Sequence, residues 1–162
     1  MNKRIFQLLT ILLLSVFSIG SFAQINRTLK TKVADVLAQM PTKDLAHRDK
    51  AMNEILEMGP EGFQKLTALL TPPNVGDDTA VRFALNSFAR YASQFGKCEA
   101  RAFAEDNILK ALKEQKDAEV KTFLLNQLNL VASEKTIPEI SGYLTDEKLC
   151  EPATQTLLSL EM

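Results

Sequence analysis

Four aspartates, Asp44, Asp78, Asp117 and Asp146, stand 34, 39 and 29 residues apart, and each opens the same downstream pattern of apolar residues. Counting from each Asp, position +7 holds Ala51, Leu85, Leu124 and Ala153; position +11 holds Ile55, Ala89, Leu128 and Leu157; position +14 holds Met58, Ala92, Val131 and Leu160. Residues at 7, 11 and 14 share one face of an α-helix, so the pattern predicts four helices with equivalent core surfaces. Residues 78–95 show the stripe most fully, with Val81, Leu85, Phe88, Ala92 and Phe95 at spacings of 4, 3, 4 and 3. Each of the four is preceded by a shorter amphipathic stretch: 27–40 (Leu29, Val33, Val36, Leu37, Met40), 60–70 (Phe63, Leu66, Leu69, Leu70), about 103–115 (Ile108, Leu109, Leu112) and 136–144 (Ile137, Ile140, Leu144). Pro41, Gly59-Pro60, Pro72-Pro73, Gly96 and Pro138 punctuate the pattern. Gly59 followed by Pro60 reads as the left-handed end of one helix against the first turn of the next. No segment has the two-residue alternation of a strand.

An ordinary helical bundle would explain the aspartates alone, because Asp is a favoured N-cap. It does not explain the apolar residue at +3 and the base at +4 in three of four units: Arg48, Arg82 and Lys121 occupy +4, and only Cys150 departs. At +3, Val81, Val120 and Leu149 are joined by one exception, His47. The expectation is an all-α chain of four repeated helix pairs, covering about 27–59, 60–96, 103–133 and 135–161.

The unit resembles a HEAT-like repeat of the PBS-lyase type, in which D-x-x-V-R opens the second helix; Asp78-x-x-Val81-Arg82 and Asp117-x-x-Val120-Lys121 carry the likeness. The resemblance implies an α-solenoid, an α-α superhelix, with an Asp-to-base ladder between neighbouring repeats. Its rungs would be Asp44, Asp78 and Asp117 with Arg48, Arg82 and Lys121, ending where Cys150 replaces the base. More narrowly, TPPNVGDDTAVRFALNSFARYAS with GYLTDEKLCEPA is similar to the HEAT-like region of secreted bacterial proteins that also carry a 3-keto-disaccharide hydrolase domain. That likeness implies an alternative role, as the non-catalytic N-terminal part of a secreted carbohydrate-active hydrolase. Fold likeness specifies function poorly, because activity resides in sites.

Ahead of the repeats, residues 1–23 read MNKRIFQLLTILLLSVFSIGSFA: Lys3 and Arg4, an apolar run from Ile5 to Ile19, then Ser21-Phe22-Ala23. This is the pattern of a cleaved secretory signal peptide. A membrane anchor would need roughly 20 apolar residues, and this run is shorter and includes Thr10, Ser15 and Ser18. No Cys adjoins the cut, which argues against a lipoprotein and for a periplasmic or extracellular product. Cleavage leaves 139 residues, 24–162, with 17 basic and 20 acidic side chains, a net of −3. That balance argues against a nucleic-acid partner, which demands clustered excess base.

One His and two Cys leave little for catalysis or metal binding. His47 has no activated nucleophile beside it in sequence and reads as a surface or interface-packing residue. The loop 71–79, with Asn74, Asp77 and Asp78, lacks the alternating ligands and terminal Glu of a calcium loop and reads as a capped turn. No zinc, P-loop, Rossmann or nucleophile-elbow motif is present, so neither a cofactor nor an enzymatic activity is expected. Cys98 and Cys150 fall at opposite ends of helices in units two repeats apart. Such helices are roughly 20 Å long, so no bridge between the two is expected.

The remaining candidate is a face of the second helices. At +9 stand Asn53, Ser87, Asn126 and Gln155, flanked by Phe83 and Thr122 at +5 and by Arg90 and Asn129 at +12. A column of short polar groups can hydrogen-bond an extended peptide, or a carbohydrate, along the concave side of a solenoid. The sequence therefore points to an exported interaction or scaffolding module with a protein or peptide partner.

Overall fold

The computed structural model describes residues 28–160, so the expected export segment at 1–23 lies outside the described residues, as does the end of the last repeat at 161. Among the described residues there are eight α-helices and no strand: α1 (Leu29–Ala38), α2 (Leu45–Glu57), α3 (Gly59–Thr67), α4 (Thr79–Ala92), α5 (Cys98–Glu114), α6 (Ala118–Leu128), α7 (Thr136–Ile140) and α8 (Cys150–Leu158). A 3₁₀ turn, Ser141–Thr145, follows α7. None of these helices is long and apolar enough to cross a membrane.

The aspartates start helices by more than one chemistry. Asp44 accepts the N–H groups of Ala46 and His47, Asp117 those of Glu119 and Val120, and Asp146 those of Lys148 and Leu149. Asp44 and Asp117 thereby satisfy donors that a helix start leaves without partners, whereas Asp146 closes the turn that leads into α8. Asp78 does not cap; Asp77 accepts the Thr79 N–H instead, and the Asp78 carboxylate turns inward to Arg82 and the Thr71 N–H. Gly59 at φ +66° separates α2 from α3, with Pro60 in the first turn, as the sequence predicts.

Contacts join each helix to the one two places on: α1 to α3, α2 to α4, α3 to α5, α4 to α6, α5 to α7 and α6 to α8. The core runs continuously through these contacts. Ten of the twelve residues at +7, +11 and +14 are buried, while Leu157 and Leu160 of the last unit are half-buried. At its centre Phe63, Phe88 and Phe103 from α3, α4 and α5 meet with ring centroids 5.7 to 5.9 Å apart, tilted to edge-on, an arrangement that favours aromatic pairs beyond simple burial.

Three expectations need correction. Phe95 does not continue the α4 stripe: the helix ends at Ala92, and Phe95 stands fully exposed in the turn before Gly96, whose φ is +81°. The third leading helix is not short; α5 begins at Cys98 and is the longest described. The fourth breaks after five residues into the 3₁₀ turn holding Gly142, a poor helix former; Ile137 within α7 and Leu144 in the turn are exposed, while Ile140 is buried.

Candidate binding face

The +9 column sits on α2, α4, α6 and α8, about half a turn from the core positions by helical geometry. Its members differ in environment. Asn53 is exposed, but its amide oxygen accepts the Tyr91 hydroxyl at 2.6 Å, tying α2 to α4. The Tyr91 oxygen in turn accepts from Lys97 Nζ at 2.6 Å. Ser87 is buried, and the column is interrupted there. Asn126 is exposed and makes no side-chain hydrogen bond among the described residues. Gln155 is exposed; its Nε2 donates to Glu151 at 3.4 Å, and its backbone carbonyl accepts from Asn129 Nδ2 at 2.9 Å.

The flanking positions divide similarly. Phe83 and Thr122 are half-buried, and Phe83 packs on the core. Arg90 is exposed and donates from Nε to Asn86 at 3.1 Å; Asn86 Nδ2 donates to buried Gln127 at 2.9 Å, and Gln127 Nε2 donates to the Phe123 carbonyl. This relay joins α4 to α6 and fixes the guanidinium at its outer end. Part of the expected ligand column is therefore a seam between helices: Asn53 and Asn129 hold neighbours together, while Arg90, Asn126 and Gln155 remain at the surface.

The expected ladder is corrected as well. Arg82 Nε lies 2.9 Å from both oxygens of Asp78 in its own unit, and its Nη2 donates to the Thr71 carbonyl. Arg82 reaches the next unit through an aromatic ring, its guanidinium carbon 4.8 Å from the Phe123 centroid; Lys121 Nζ likewise sits 5.1 Å from the Tyr143 ring. Among the described residues neither Arg48 nor Lys121 forms an ion pair with a ladder aspartate; Oδ1 of Asp44 and of Asp117 accepts helix N–H groups, and Asp44 Oδ2 pairs with His47. A base four residues after an Asp shares its helical face, which favours pairing within the helix over pairing across units. Burial pushes the Asp78 carboxyl up, but Arg82 and the Thr71 N–H outweigh it and hold the group below its ordinary range.

His47 Nδ1 lies 2.8 Å from Asp44 in an exposed pair, and this bond first, then helix N–H groups, lowers the Asp44 pKa. Cys98 and Cys150 are free thiols at the first residues of α5 and α8.

Sequence reasoning missed the most heavily bonded carboxylate. Glu105 on α5 is 2% exposed and accepts the Ser133 N–H at 2.8 Å, the Ser133 hydroxyl, and the buried Thr136 hydroxyl at 2.6 Å. Lys135 Nζ approaches at 3.1 Å while bonding Asp106 at 2.8 Å. Burial raises the Glu105 pKa, yet the hydroxyls of Thr136 and Ser133, the Ser133 N–H and Lys135 together bring it below its ordinary value. Arg101 donates to the Val131 and Ala132 carbonyls of the same turn. The available signal was a carboxylate set inside the stripe of Ala104, Ile108 and Leu112. Comparison with protein-family models, curated proteins and solved structures gives no match, so the repeat resemblance rests on the residues that carry it.

Proposed function

We propose that this chain is an exported, non-catalytic helical-repeat module that binds a protein or peptide on the face formed by α2, α4, α6 and α8. The contact of each helix with the one two places on carries the reading, because stacking two-helix units produces that neighbour pattern in a solenoid. Arg90, Asn126 and Gln155 supply exposed donors and acceptors on that face, with Arg90 held in position by Asn86. A guanidinium fixed through Nε still offers its terminal N–H groups to a carboxylate or carbonyl. Recognition here is display of shape and hydrogen-bonding groups, and it needs neither turnover nor cofactor. The signal-like residues 1–23 support export, to the periplasm or beyond.

Site-specific photo-cross-linking tests this. A photoreactive side chain at Asn126 should capture a discrete protein in cells that express the chain, whereas one at exposed Ala102 on α5 should not. Equal capture from both positions, or capture of glycan alone at Asn126, would overturn the proposal.

A further inference from the structure

Outside that face, α1 and α3 enclose an open groove of about 400 Å³. Ala34 and Leu37 of α1 form one wall, and Ala68 and Leu69, just beyond α3, form the other. Leu69 is 46% exposed, leaving much of a large apolar side chain in water. Lys30 and Lys65 frame this apolar floor, and no carboxylate lines it among the described residues. Lys65 has one acidic neighbour, Glu61, at 3.4 Å in an exposed pair; Lys30 has no ion-pair partner among the described residues. Exposed pairs of this kind contribute little and exchange readily.

We propose that the groove docks a short amphipathic helix of a partner protein, with apolar side chains on the floor and acidic residues meeting Lys30 and Lys65. Shape and charge both favour that occupant. The lining residues of α1 at 30, 33, 34 and 37 form one helical face about 10 Å long, or two turns, which is the length over which a docked helix presents apolar anchors at i, i+3, i+4 and i+7. A concave trough between two helices receives a third helix, whereas a flat lipid surface would not enter it. The lysine frame sets the polarity: in a chain that carries a net of −3 over residues 24–162, this groove selects acid.

The test uses two labelled 14-residue helical probes with leucines at i, i+3, i+4 and i+7, one flanked by glutamates and the other by lysines. In fluorescence anisotropy at low salt, the acidic probe should bind at least about tenfold more tightly, as expected for two charge contacts flanking a desolvated apolar face. The double variant Lys30→Glu/Lys65→Glu should reverse the order, and Leu69→Ser should weaken both probes while circular dichroism confirms the fold. Amide shifts in NMR titration should centre on Ala34 and Ala68. Equal binding of the two probes, an order that survives charge reversal, or shifts centred on Asn126 would each overturn the assignment. Shifts at Ala34 and Ala68 that grow with protein concentration in the absence of probe would also overturn it, because a second copy would then be the occupant.

Discussion

Replacing Glu105 by alanine removes the carboxylate that fastens α5 to the turn between α6 and α7. The Thr136 hydroxyl is fully buried and donates to Glu105 at 2.6 Å, so its lost acceptor costs about 1–3 kcal/mol. Ser133 is exposed, and water replaces the acceptor for its N–H and hydroxyl, so those bonds add about 1 kcal/mol or less. Lys135 retains Asp106 at 2.8 Å and is half-exposed, so no buried charge is stranded, and the larger loss of a broken buried ion pair does not apply. The expected total is about 1–4 kcal/mol, read as a lower urea midpoint by circular dichroism at pH 7. Glu105→Gln keeps an acceptor for Thr136 but loses the charge, and should fall about 1–2 kcal/mol below wild type. The folded pKa of Glu105 lies below its ordinary 4.5, so its stabilisation is present above that value and is lost as pH falls through the folded value. The gap between wild type and Glu105→Gln should therefore be widest above about pH 5 and close in acid. A Glu105→Ala protein within about 0.5 kcal/mol of wild type, or a gap that widens in acid, would refute the bonding described for this residue.

Two further substitutions separate residues that look equivalent in the repeat pattern. Asp78→Asn weakens the paired contact with Arg82 and should cost about 1–2 kcal/mol in urea unfolding, whereas Asp117→Asn keeps a competent helix cap and should stay within about 0.5 kcal/mol; equal losses would contradict their different roles. Asn53→Ala removes the acceptor of Tyr91 and should lower stability by about 1 kcal/mol, whereas Asn126→Ala should be near neutral, so a thermal melt that ranks them the other way would be inconsistent with the seam.

Helix class was legible because helical periodicity is local. Val81, Leu85, Phe88 and Ala92 share a face in any α-helix, and that face is buried. Gly59-Pro60 likewise announced a boundary through backbone preferences that need no tertiary partner. Phe95 continued the arithmetic of the stripe but not the helix, because spacing alone does not register where the backbone turns at Gly96. The Asp-to-base pattern was visible, but its pairing was not: Arg82 binds Asp78 four residues before it and meets the Phe123 ring across the interface.

The amino-acid sequence by itself determined the helical class, most of the core positions and the near-balance of charge, because each follows from periodicity or from counting. Tertiary structure decided which polar residues remain available. Asn53 and Asn129 are spent on neighbouring helices, Ser87 is covered and Glu105 is enclosed, while Asn126 stays free. A side chain's hydrogen-bonding capacity belongs to its residue type, but its partner depends on which helix packs alongside, and that neighbour is distant in the chain.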